Sequence, residues 1–437
     1  MGDFIQPLAI LAFILCCLGV IFLPPVLTLV LAVTAAFLAF LAVKRSNYSL
    51  DYGSSNLLLR AGAEDFSAKA SSSLYGLFEL QEVDDGFSPL LFLDFARILY
   101  RELLSSRFLG DAKVDEKLQP FLSESLDGNL SLGQSRAGEN SELKELSIAP
   151  LSLLSSGASC EEVSIDLEIS STFCSTQEQG SGHARFRRER LRFVKSPKTP
   201  SFDLSNMRRL GTKSHWCIKE IELLEEKGRS EFEEDFISAL SSESPEKDFS
   251  AAQGFAERER RFLDDNPDFS LSKFKSYVEG RYLEISQTWA QNDLSSVRSY
   301  MTRSAYQGRD FYLQILKRHG LKQVLEDVEV EDVTPIDYRH DPHYFYISVW
   351  IRVKAKDYLQ DSDDRVINGS KESVTSLDEY WTFVRRRDVG ALGAKELHCP
   401  LCGEKVGNVL PRFCKQCADS FLDLEFDWTV ASFSLQD

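Results

Sequence analysis

The chain has 437 residues, enough for two or three domains at roughly 150 residues each, and 43% of them are hydrophobic, so it can build well-formed cores. Its formal net charge of −17 argues against a nucleic-acid binder, because duplex DNA and RNA select basic surfaces. The same charge argues against a soluble part that lies broadly on anionic lipid.

From Pro7 to Val43 the chain is one uncharged apolar run whose only polar side chains are Thr28 and Thr34. As a single helix it would reach ~55 Å, too long for a hydrocarbon core of about 30 Å. Pro24 and Pro25 fall in its middle, where they break or sharply kink a helix. The expectation is a membrane anchor over residues 1–43, built as two short helices that form a hairpin in the lipid bilayer. One strongly kinked span is the alternative. Either way, Lys44 and Arg45 come directly after the run, which puts the rest of the chain on the cytoplasmic face of the inner membrane. A cleaved signal peptide fits less well, since the segment before the run lacks basic residues and the run is too long.

Residues 44–75 are rich in Ser, Gly and Ala and read as a linker. A strongly charged stretch at 224–261 reads as a solvated helix and loop. Two blocks remain, 76–223 and 262–437, and they echo each other. Phe87-Ser88 opens a helical pattern that includes Tyr100. Phe269-Ser270 opens another that includes Tyr282, 182 residues on. Period-two runs come next at Val163–Ile169 and Ile347–Val353. Leu191 and Phe193 then align with Trp381 and Phe383, and Trp216 with Trp428. The offset grows steadily along the chain, as it does for two copies of one domain with insertions in the second.

The second copy gives the clearer pattern. Apolar residues at 271, 274, 277, 278, 282, 285 and 289 share one helical face. Asp293 suits an N-cap, and a further helix at 306–318 would end near Gly320. The period then switches to two, which predicts strands near 324–336, 343–357, 372–387 and 424–433. The fold class expected is α+β: two tandem cones, each with helices packed on a curved antiparallel sheet.

Of nine cysteines, Cys399, Cys402, Cys414 and Cys417 form two CxxC pairs eleven residues apart. Each knuckle turns two sulfurs towards one point, and four thiolates close a tetrahedral structural zinc site. A redox dithiol would need one pair alone. Four thiolates leave no open coordination position for catalysis, and His398 beside them reads as a bystander. The spacing between the last two strands is 23 residues in the first copy (Phe193 to Trp216) and 45 in the second (Phe383 to Trp428). A zinc ribbon at 396–420, inserted before the last strand, accounts for the excess.

The segment from Phe262 to Gln307, with EYWTFVRR from Glu379 and DWTV from Asp427, resembles the Tim-forty-four-like (Tim44-like) domain family. That family comprises mitochondrial inner-membrane import-motor tethers and bacterial relatives within the nuclear-transport-factor-two-like superfamily. The resemblance covers residues 262–437; the first copy shares only its helix, one strand and the Trp216 strand. It implies protein docking at a membrane in protein transport, with a protein partner whose identity it does not give. The basic segment of the mitochondrial tethers is absent here.

The function expected is a membrane-anchored docking or scaffold protein. The alternative is a binder of lipid or another apolar ligand in a cone pocket. An enzyme fits least, because Tyr277, Tyr282, Asp337, His340 and His343 show no spacing that singles out an acid–base pair. No catalytic residue and no cofactor other than zinc is expected. Arg188, Arg190 and Arg192 alternate along one strand, where neighbouring acids make a solvated face. Trp216, Trp381 and Trp428 read as core. Elemental analysis is expected to find about one zinc per chain. Cys414→Ser should lower that content and loosen residues 388–423, because site formation and local folding are coupled; stoichiometric zinc in the variant would exclude the site.

Overall fold

The computed structural model of the protein describes residues 74, 76–108, 118–123, 126, 143–159, 161–175, 184–196, 216–239, 254–387 and 428–434. The apolar run at 7–43, most of the linker and the four cysteines of the double knuckle lie outside these residues. Among the described residues no helix is long and apolar enough to cross a membrane.

The first cone starts with helix α1 (Pro89–Phe108). Proline at its first position needs no N–H partner there, and the Ser88 hydroxyl ahead of it accepts from the Leu91 amide at 3.5 Å. Five strands come next: β1 (Leu143–Ile148), β2 (Ser152–Ala158), β3 (Val163–Ser175), β4 (Arg185–Lys195) and β5 (Cys217–Gly228). Their antiparallel order is β1-β3-β4-β5, with β2 also paired to β3. Alternate residues Val163, Ile165, Leu167 and Ile169 of β3, with Leu191 and Phe193 of β4, are buried against Phe92, Phe95, Leu99 and Leu103 of α1.

Helix α2 (Arg229–Ala239) leads away from β5, and α3 (Phe255–Asp265) opens the second cone. Helix α4 (Leu271–Ala290) is capped by Ser270, which accepts from the Lys273 amide, and buries Phe274, Val278, Tyr282, Ile285 and Trp289. Asp293 is not the N-cap of the next turn, a short 3-10 helix (Ser295–Tyr300) capped at Leu294; its carboxylate accepts from the Ser295 amide at 2.9 Å just ahead of it. Helix α5 (Arg303–Arg318) ends at Gly320, whose φ of +63° is the left-handed conformation that glycine adopts without strain. The second sheet then runs β6 (Lys322–His340), β7 (Tyr344–Gln360), β8 (Val366–Gly369), β9 (Thr375–Arg386) and β10 (Thr429–Ser434). Its order is β6-β7-β9-β10, with β8 on β7. Four of these strands stand where the period-two pattern predicts them; the short β8 does not show in that pattern.

The two sheets share one plan. β1 and β2 pair with opposite ends of one edge of β3, as the single long β6 pairs along β7. A parallel bridge joins Leu122 to Ile218 in the first cone and Met301 to Val430 in the second. The aromatic centres match as well. Phe92 lies 5.3 Å from Phe193 and 5.0 Å from Trp216; Phe274 lies 5.6 Å from Phe383 and 5.2 Å from Trp428. Above these tryptophans sit two cations, Lys195 over Trp216 and Arg385 over Trp428.

The charged stretch at 224–261 is more than a solvated connection. Its early residues extend β5, and α2 buries Phe232 and Phe236, which are 5% and 4% exposed. Phe232 stacks on Phe186 of β4 at 3.9 Å and meets Phe311 of α5 at 6.2 Å; Phe236 stacks on Tyr312 at 5.5 Å. Glu233 accepts from Arg318 at 2.6 Å and lies 3.1 Å from His319. Charge composition concealed this because the buried phenylalanines are few and set among acids. Helix α5 therefore faces both cones. A Cβ on Gly308 would come within 2.8 Å of Pro150, in the break between β1 and β2, so glycine permits this approach. Ala149, Phe186, Phe232 and Phe236 belong to the same buried cluster as the core of the second cone.

Phe232→Ala is expected to cost about 3–5 kcal/mol in urea unfolding, with both cones lost in one transition. Two separated transitions in the wild-type chain would contradict this continuity.

Candidate functional site

An inward-facing glutamate on a core strand needs a partner, and each cone supplies a tyrosine from its central helix. In the first cone the Tyr100 hydroxyl donates to Glu189 at 2.8 Å, and Arg107 approaches the same carboxylate at 2.9 Å. In the second the Tyr282 hydroxyl donates to Glu379 at 2.6 Å, while the Trp381 indole N–H donates to its other oxygen at 2.7 Å. Both glutamates are 3% exposed. Burial and the adjacent carboxylate push both phenols well above their ordinary value, so both remain donors. A buried carboxylate facing a tyrosine is the geometry that acid–base chemistry would require. Here, however, both oxygens of each carboxylate are already held, and each pair instead ties a helix to its sheet. The signal for Glu189 and Glu379 lay in the strand period, which places them on the core face beside Leu191 and Trp381.

The other residues considered for chemistry do not converge. Tyr277 donates to the Trp428 carbonyl. Asp337 is held by Arg258 at 2.6 Å and by Arg339 at 2.9 Å. His340 lies 3.5 Å from Arg387, and burial, then that cation, lower its affinity for a proton. His343 sits in the turn after it, its amide donating to Asp341 at 2.7 Å. Arg188, Arg190 and Arg192 form the outer face of β4 and meet acids from both sides: Glu225 at 2.9 Å, Asp166 at 2.9 Å and Glu162 at 3.9 Å. The three tryptophans are core, at 0%, 2% and 4% exposure for Trp216, Trp381 and Trp428. The expected metal ligands Cys399, Cys402, Cys414 and Cys417 lie outside the described residues. Among the described residues no group of His, Cys, Asp or Glu is arranged to hold a metal ion.

A cavity of about 240 Å³ opens where the cones meet, between α1, β1 and α5. Four arginines line it, Arg97 and Arg101 from α1, Arg298 from the 3-10 turn and Arg303 from α5, against one carboxylate, Asp310. No sequence pattern pointed to it, because its residues come from three separated segments.

In the second cone, residues 255–395 match the family model of the Tim44-like domain. That stretch begins at α3 and runs past β9. Residues 255–395 form a Tim44-like domain. Its boundary falls a few residues before the 262 read from the sequence, because α3 packs in the core through Phe262. Among curated proteins no sequence matches the chain. The Tyr282–Glu379 pair, the Phe274–Phe383–Trp428 cluster and the shared helix α5 all draw on the Tim44-like domain, and the first cone repeats the first two.

Tyr282→Phe is expected to lower unfolding free energy by about 1–3 kcal/mol, since it leaves a buried carboxylate oxygen short of a donor. Tyr100→Phe should cost less, because Arg107 still holds Glu189. Equal effects in urea titrations would contradict the roles given to Arg107 and Trp381.

Proposed function

We propose that this protein is a membrane-anchored docking protein of protein transport or membrane-complex assembly. In this reading residues 7–43 hold it in the bilayer and two cones project into the cytoplasm. The observation that carries the reading is the Tim44-like domain at 255–395, because a domain of this kind suggests a scaffold or tether in protein transport. The first cone, with the same strand order and the same tyrosine–glutamate and aromatic contacts, is read as a degenerate second copy of that domain. The inserted ribbon at 396–420, closed by zinc on its four cysteines, would add a rigid appendage before β10.

Two physical features favour docking over chemistry or apolar-ligand binding. Each buried carboxylate is saturated by hydrogen bonds, which leaves it poorly placed to take a substrate proton. Between helix and sheet each cone is packed with aromatic rings, where an apolar ligand would otherwise sit.

Removing residues 1–43 is expected to move the protein from the membrane to the soluble fraction. Photo-crosslinking of the full chain in native membranes, from probes at the exposed positions Leu271 and Leu283 of α4, should trap one reproducible protein. Crosslinks to lipid alone would sink the docking reading.

A further inference from the structure

The cavity between the cones has an electrostatic imbalance, with four arginines facing one carboxylate. Elsewhere on this acidic chain, the outer arginines of β4 and the cation beside Glu233 sit against carboxylates. Arg97 does not. Its guanidinium is 3% exposed and donates to two backbone carbonyls, Ile148 at 2.8 Å and Ala149 at 2.9 Å, while its Nε has no partner. Burial lowers its pKa to about 10, a sign of a cation held where water stabilises it poorly. Asp94 on the same helix attracts it without forming an ion pair, and that carboxylate also accepts from the Ser304 hydroxyl at 2.6 Å.

A buried charge with no carboxylate in direct contact is expensive, and it is stabilised most directly by an anion. The surroundings are built for one. Arg101 and Arg298 border the same cavity, and neither forms an ion pair among the described residues. The Arg298 guanidinium is propped over the Tyr306 ring at 5.2 Å, which holds it without neutralising it. Ser147 and Gln307 add neutral hydrogen-bonding groups to the lining. The single acid, Asp310, already accepts from Gln314 at 3.1 Å. At about 240 Å³ the space falls below the roughly 300–1,000 Å³ of drug-sized ligand sites, so the occupant is small. Planar guanidinium forks match the oxygens of a phosphate two at a time, and several forks on one group select a multiply charged oxyanion.

We propose that the cavity between the cones is a binding site for a phosphate group, free or carried on a small organic molecule, held by Arg97, Arg101 and Arg298. Because its walls come from α1 and β1 of one cone and α5 of the other, an occupant bridges both and favours their packed arrangement.

The test uses the full chain in detergent, with thermal unfolding and calorimetric titration against inorganic pyrophosphate, glycerol 1-phosphate and citrate at matched ionic strength. Saturable binding at one site per chain and a rise in Tm are expected for a phosphate probe. The Arg101→Ala/Arg298→Ala double variant should weaken it by about tenfold or more, the equivalent of one lost charge-assisted bond. Both side chains are exposed, so the variant keeps its fold, and Arg260→Ala, on the surface of α3, should bind as the wild type does. Tighter binding of pyrophosphate assigns a free inorganic anion; tighter binding of glycerol 1-phosphate assigns a phosphate ester. The proposal is overturned if sodium chloride reproduces the stabilisation, if Arg260→Ala loses as much affinity as the double variant, or if citrate binds more tightly than either phosphate.

Discussion

A carboxylate inside each cone sets the distance between helix and sheet. Glu189 and Glu379 stand on core-facing positions of β4 and β9, where an unpaired charge would be costly. Each is tolerated because a tyrosine on the crossing helix and a second donor, Arg107 or Trp381, reach it at hydrogen-bonding distance. A one-residue slip of either strand would carry its glutamate to the outer face and turn neighbouring residues the wrong way. The pair therefore fixes strand register and helix rotation together. The rest of each core, from the phenylalanine clusters to the tryptophan at the last strand, is arranged around that fixed geometry.

The two cones use different third partners for the corresponding carboxylate, an arginine in one and an indole in the other. The arginine is long enough to come from the helix end, while the indole comes from two residues along the same strand. Both cones carry the tyrosine–glutamate pair, and its surroundings are filled differently. Outside the cones the same economy is visible in charge. Arginines on the outer face of β4 meet acids of neighbouring strands, whereas the cavity at the joint gathers four arginines around one carboxylate.

Much of this fold is legible in the sequence because it rests on periodicity. The α4 face, the four main strands of the second sheet and the pairing of Phe193 with Phe383 and Trp216 with Trp428 come from spacings of 3.6 and 2. Tyr282 was visible as a core residue, but its partner was not, since a glutamate on a strand reads equally well as a solvated residue until the neighbouring face is known. The packing of α2 escaped notice for a related reason: Phe232 and Phe236 lie among acids that dominate local composition. Arg97 and its neighbours are united only by the docking of one cone on the other, which no local pattern encodes. The cysteine knuckles are the opposite case: spacing alone suggests their site, and they lie outside the described residues.

Helix α5 completes surfaces of both cones, and that bears on how the chain is made. During synthesis the first cone and α2 leave the ribosome well before Phe311 and Tyr312, the residues that cover Phe232 and Phe236. Until then Phe236 and the face of Phe232 turned away from Phe186 stay open to water beside an unfinished neighbour. Vectorial folding of the first cone thus stops short of its final surface, and the nascent chain carries a transient sticky patch of the sort that chaperones shield.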